Sequence, residues 1–193
     1  MARKTGNKYD NIIEAAVKII AKNGYHNSQV SKIAKEAGVA DGTIYLYFRN
    51  KEDILVSVFN NKMTKFIDHI REKIELKEEP LDKLKDLIKS HFSYLEADRN
   101  LALVTQIELR QSNPSIREAI TEVIIQYYML IEDVLKMGIE KGVLRKDLDI
   151  RLSRKMIFGA LDEVVTCWVL SKKRYKLTDS VDNLFFLLLN GLV

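Results

Sequence analysis

The chain has 193 residues, 47% of them hydrophobic and 30% charged, with a net charge of +4, one cysteine and two prolines. That length buries a sizeable core and holds one domain or two small ones. Cys167 alone makes no intramolecular disulfide, the N-terminus carries no apolar signal-peptide core, and the longest apolar run, Leu184 to Leu189, is far too short for a bilayer, so a cytoplasmic setting without a membrane role is expected.

Scarce Gly and Pro with abundant Lys, Glu, Leu and Ile predict an all-α protein. The first helix is expected from about Lys8 to Lys22, where Ile12, Ile13, Ala16, Val17, Ile19 and Ile20 recur at helical spacing and Gly24 follows as a C′ residue. From Val30 to Arg49 the sequence reads as two short helices around a glycine turn. Ile33, Ala34 and Ala37 give the first of these a small apolar face, with Ser28 as its candidate N-cap. Gly38 can take the positive φ of a tight turn, and Val39 fills the angle between the helices. Asp41 or Ala40 opens the second, which ends at Tyr47 or Phe48. A long helix from about Lys51 to Leu76 follows, with Asn50 as N-cap and acids at Glu52 and Asp53. Pro80 and Pro114 stand at helix starts, and helices are predicted over 80–97, 100–112, 114–141, 150–171 and 178–191. No repeat, low-complexity stretch or linker interrupts them. The organisation predicted is a helix-turn-helix head over 1–50 joined to a helical body over 51–193.

Charge follows this division. Residues 1–51 carry nine Lys/Arg against four Asp/Glu, whereas the remainder carries 22 against 23. The positive excess lies with the helix-turn-helix, as a phosphate-facing surface requires. A helix pair of this kind presents its second member to a DNA major groove. Thr43, Tyr45 and Tyr47 alternate along that short helix as donors to phosphates and base edges, while Leu46 and Phe48 take its buried side with Ile44. Asp41 and Gly42 are small enough to let the helix N-terminus approach base edges. Ser28, Gln29, Ser31 and Lys32 begin the preceding helix, where backbone amides favour a phosphate, and Lys51 holds the equivalent place on the next long helix. For Tyr45 or Tyr47 taken singly, a packed aromatic with a satisfied hydroxyl is the plain alternative.

Residues 8–55 resemble the DNA-binding domain of the TetR family of bacterial transcription regulators. The resemblance is carried by Ile12-Ile13-Glu14-Ala15-Ala16, Gly24-Tyr25, Ile33 to Val39, Gly42 to Phe48 and Lys51 to Leu55. It implies about nine helices, a homodimer on double-stranded operator DNA, and a C-terminal domain, here 51–193, that dimerises and binds a small-molecule inducer. A narrower resemblance, to the fatty-acid-degradation repressors within that family, rests on Gly24 to Val30, Val39 to Thr43, Thr105 to Ser112, Met156 to Gly159 and Asp162 to Val164. It implies repression of β-oxidation genes, with release from DNA by long-chain acyl-CoA and no other cofactor. A drug or another amphiphile as inducer is the alternative within the same fold.

An acyl-CoA needs a long apolar tunnel and a basic or polar mouth. Phe66, Leu95, Leu109, Tyr127 and Phe158 are the candidates for lining, although such residues suit any helical core. Thr105, Gln106 and Arg110 interrupt the apolar pattern of 100–112. Arg110 either offers a donor fork to a phosphate or pairs at the surface with Glu108 or Glu118. Asp162 interrupts the helix over 150–171 and either caps, pairs with a partner subunit or serves the thioester region. His69 and His91 read as surface or core-edge residues. The helix over 150–171 is apolar on more than one face, and with Leu184, Phe185, Leu187 and Leu188 it exposes more than one subunit buries, which predicts a two-fold four-helix interface. No Ser-His-Asp set, zinc-ligand spacing or phosphate-cradling glycine loop is present, so neither an enzyme nor a metal site is expected.

Overall fold

The computed structural model describes residues 6–192. Among them are nine α-helices and one 3-10 turn: α1 (Asn7–Asn23), α2 (Val30–Ala37), α3 (Asp41–Tyr47), α4 (Lys51–Glu75), α5 (Pro80–Ala97), α6 (Arg99–Glu108), α7 (Pro114–Glu140), α8 (Ile150–Leu170), the turn Leu177–Ser180 and α9 (Val181–Leu192). They form two compact units, one built from the residues up to Thr64 with Asn100–Val123, the other from Lys65–Arg99 with the residues after Val123. Helices α4, α6 and α7 each pass from one unit into the other along the chain.

In the first unit α1 packs on α2 and α2 on α3. The periodic Ile12, Ile13, Ala16, Val17 and Ile20 of α1 are buried, as are Ile33, Ala34, Ile44 and Phe48. Tyr9 stacks on Phe48 at 5.5 Å between centroids, closing the core beneath α3. Gly38 has φ 67°, the left-handed value that ends α2, and the Val39 amide donates to Ala34. The Asn50 side chain accepts from the Asp53 amide at 2.8 Å while Asp53 accepts from the Arg49 amide at 2.9 Å, which fixes the start of α4. Lys62, buried on α4, is ion-paired with Glu14 of α1.

Four features differ from what the sequence predicts. Ser28 is not the N-cap of α2: Gln29 holds that place with no side-chain bond, and the buried Ser28 hydroxyl lies 2.7 Å from the Gly24 carbonyl and 3.2 Å from that of Ile19. Leu46 is 62% exposed rather than buried, because a helix of seven residues spanning two turns needs only Ile44 and the flanking Phe48 to anchor it. Helix α6 stops at Glu108, four residues short of the expected end, since Glu108 and Gln111 turn inward to bond each other. The last helix begins as a 3-10 turn, where Glu96 accepts from the Leu177 amide and the Thr178 hydroxyl, both at 2.9 Å.

In the second unit α5 packs against α8, α9 and the 3-10 turn, and α8 against α9. Asp149 caps α8 by accepting from the Leu152 amide. At the other end of α8 the Arg99 guanidinium stacks on Trp168, 4.6 Å from its centroid, and donates to the Trp168 and Val169 carbonyls. A Cβ on Gly138 would meet the Leu144 side chain at 2.6 Å, so a larger residue there would require that side chain to shift.

Candidate DNA interface and effector site

The outer face of the first unit follows from how little of α3 its core requires. Tyr45 is 58% exposed beside Leu46, and Asp41 and Gly42 at the helix start are exposed as well. Thr43 and Tyr47 are half-buried, and the Tyr47 ring leans on Tyr9 and Phe48. Gln29, Ser31 and Lys32 are exposed at the start of α2, whereas Ser28 is buried with its hydroxyl engaged. Lys32 also lines a cleft of about 400 Å³ between α1 and α2, together with Lys22 and Lys35. This face offers amides, hydroxyls and ammonium groups of the kind that position a protein on phosphates.

Lys51 is tied more firmly than sequence alone suggests. Its Nζ donates to the His26 carbonyl at 2.8 Å and sits 4.6 Å above the Tyr25 ring. Burial lowers its pKa, and the nearby Glu108 carboxylate works the other way. Tyr25 is pushed up to about 12 by burial, with Glu52 and Glu108 adding to the effect. The Tyr25 amide donates to Glu108 at 3.1 Å, and the same carboxylate accepts from Gln111. One buried acid at the end of α6 therefore holds the turn between α1 and α2, a link the sequence reading missed. Its signal was a Glu and a Gln three residues apart where the apolar pattern of α6 runs out.

The other candidates on α6 are distributed unevenly. Thr105 and Gln106 are buried, and the Thr105 hydroxyl donates back to carbonyls one turn earlier. Leu109 is half-buried just past the helix end, and the exposed Arg110 donates to the Gln106 carbonyl at 3.2 Å. Glu108 is turned to Tyr25 and Gln111.

In the second unit the structure brings Phe66, Tyr127 and Phe158 into one aromatic cluster. Phe66 meets Tyr127 edge-on at 5.4 Å and Tyr94 at 5.4 Å, and Tyr127 meets Phe158 at 6.1 Å. At its centre lies His91, which was expected at the surface or core edge but is fully buried. Phe66 meets the imidazole at 5.0 Å, and His91 Nδ1 is 2.7 Å from the Tyr127 hydroxyl. Burial pushes the His91 pKa down to about 3 and raises that of Tyr127, so both are neutral. The helical spacing of Leu84, Leu87, Ile88, His91 and Leu95 carried the signal, because His91 falls on the apolar stripe of α5. Leu95 is buried one turn on, and Asp162 is buried on α8 with its carbonyl accepting from Thr166.

Apolar side chains also remain outside this unit's core. Leu152 and Met156 of α8 and Phe186 and Leu187 of α9 are each more than half exposed, and a cavity of about 200 Å³ lies between the two helices. Among the described residues no group of three or more His, Cys, Asp or Glu is placed to hold a metal, and no helix is long and apolar enough to cross a membrane.

Known proteins resemble this chain along most of its length. Residues 12–58 match the family described as bacterial regulatory proteins, tetR family, and residues 59–191 match the YsiA-like protein, C-terminal region. The fatty acid metabolism regulator protein of Bacillus subtilis is 52% identical over 96% of this chain and 95% of its own. The crystal structure of the regulator FadR from Bacillus subtilis in complex with stearoyl-CoA is 51% identical, with a TM-score of 0.92 over 96% of this chain and all of that one. The fatty acid degradation regulator FadR from Bacillus halodurans is 54% identical, with a TM-score of 0.91 over the same shares.

Proposed function

The chain belongs to the TetR family of bacterial transcription regulators, and on that premise we propose that it is a homodimeric repressor of fatty-acid β-oxidation genes, released from its operator by long-chain acyl-CoA. The observation that carries this reading is the near-complete, 51% identical match to a FadR that holds stearoyl-CoA. It is not an enzyme. Its setting is the cytoplasm, where operator DNA and acyl-CoA meet.

Residues 1–50 form the DNA-binding head and 51–193 the ligand-binding and dimerisation domain. Tyr45, Thr43, Asp41 and Gly42 of α3 face base edges and phosphates, with Gln29, Ser31 and Lys32 of α2 and Lys51 of α4 on the backbone. Ser28 supports that surface from within, because its buried hydroxyl braces the α1–α2 turn. The aromatic cluster of Phe66, Tyr127 and Phe158, with Leu95 and Asp162, takes the acyl chain. Thr105, Gln106, Leu109 and Arg110 on and after α6 carry the response.

The route of that response begins at Glu108. A ligand-driven movement of α6 withdraws its carboxylate from the Tyr25 amide, loosening the turn that presents α2 and α3. A coupling free energy of about 1–3 kcal/mol lowers operator affinity roughly 5–150-fold. Linkage requires operator DNA to weaken acyl-CoA binding by the same factor. Two heads about 34–36 Å apart reach successive major grooves, so a dimer joined through the exposed apolar faces of α8 and α9 suits a palindromic site.

Thermal unfolding of the dimer with stearoyl-CoA, acetyl-CoA, CoA and stearic acid tests the ligand. Saturation at about a hundred times Kd adds roughly 2.7 kcal/mol per site, so a large Tm rise is expected with stearoyl-CoA alone. No rise with stearoyl-CoA would overturn the acyl-CoA reading and leave another amphiphile as inducer.

A further inference from the structure

His91 carries the one feature of the aromatic cluster that packing does not explain. Its Nε2 is buried and has no hydrogen-bond partner, while Nδ1 lies 2.7 Å from the Tyr127 hydroxyl. A buried polar group left unsatisfied is costly, and an apolar residue of similar shape would avoid that cost. The ring is enclosed by Phe66 at 5.0 Å, Tyr127 at 5.6 Å and Phe92 at 5.9 Å. The Tyr127 phenol is fully buried and must donate, and Nδ1 is the acceptor within its reach. The imidazole proton therefore sits on Nε2, and the atom without a partner is a neutral N–H donor.

We propose that His91 reads the head of the acyl chain, with its Nε2–H donating to the thioester carbonyl oxygen of bound acyl-CoA. This rests on the acyl-CoA reading above and assigns one of its contacts. Three requirements select that oxygen. The acceptor must be uncharged, because a neutral imidazole among aromatic rings gives no countercharge to a phosphate. It must adjoin an alkyl chain, because the surroundings are rings. It must also belong to the activated acid, and the thioester carbonyl is the uncharged oxygen bonded directly to the chain. The pantetheine amides lie further toward the phosphates. The same contact disfavours a free fatty acid, whose ionised carboxylate would enter this cage without a cation.

Titration calorimetry of the full-length dimer with stearoyl-CoA and with S-octadecyl-CoA, the thioether in which a methylene replaces the carbonyl, isolates the contact. Wild type should bind the thioether more weakly by roughly three- to tenfold, the range of one hydrogen bond. His91→Phe should bind both equally, and His91→Gln, which keeps an N–H donor, should recover the preference. Equal affinities in wild type, or a preference kept by folded His91→Phe, would overturn the proposal. NMR of the labelled imidazole nitrogens needs no variant: Nε2 should carry the proton in the free protein and shift with stearoyl-CoA but not with the thioether. The same Nε2 shift with both ligands would equally overturn it. Binding of neither ligand by wild type would overturn the acyl-CoA reading and this contact with it.

Discussion

His91 and Tyr45 mark the two extremes of side-chain environment on which the account depends. A histidine whose folded pKa is about 3 against an ordinary 6.5 stays neutral in the fold while the unfolded chain takes up a proton. Below pH 6.5 the unfolded state therefore binds more protons, and stability falls as pH falls toward 3, by about 1.4 kcal/mol per pH unit at most. Urea unfolding at pH 7 and pH 5 should show this loss in wild type and a smaller one in His91→Phe. Tyr45 lies at the other extreme, more than half exposed. Tyr45→Ala should leave Tm within a degree or two while lowering operator affinity about tenfold, the size of one good contact. Lys32→Ala should weaken binding to all DNA sequences alike and reduce the salt slope by about one, as loss of a phosphate contact does. Neither environment follows from residue type alone, since a tyrosine and a histidine are each at home inside or out.

At the scale of the element, most of the architecture was legible because periodicity, caps and prolines agreed with one another. Gly38 ended α2 in the left-handed region, Pro80 and Pro114 opened α5 and α7, and Asn50 capped α4. Two of the misreadings fall where a side chain bonds outside its own helix. Ser28 bonds back into α1 rather than into its own helix, and Glu108, at the end of α6, accepts from the Tyr25 amide, 83 residues away. Leu46 failed differently, because two turns of helix do not define a face. Phe48→Ala should destabilise the head by about 3–5 kcal/mol, whereas Leu46→Ala should stay within about 0.5 kcal/mol, as thermal unfolding can show. Glu108→Ala leaves the buried Tyr25 amide without its acceptor and should lower stability by about 1–3 kcal/mol. In the same variant the effect of stearoyl-CoA on operator affinity should fall below about fivefold. An undiminished effect would remove Glu108 from the route.

For the whole molecule, the family was readable in residues 8–55 and the acyl-CoA effector in the narrower resemblance, whereas the residues that line the effector site were not, because a ligand-lining aromatic and a core aromatic look alike in sequence. The exposed Leu152, Met156, Phe186 and Leu187 give the dimer reading its physical basis. Met156→Glu with Leu187→Glu should yield a monomer by sedimentation that no longer holds a palindromic site. The most direct test of the central claim uses DNA selected from the native genome by the purified dimer, with Kd measured by fluorescence anisotropy as stearoyl-CoA is added. The account predicts affinity falling roughly 5–150-fold with stearoyl-CoA and staying constant with acetyl-CoA. Operator affinity that is unchanged or raised by saturating stearoyl-CoA would contradict it.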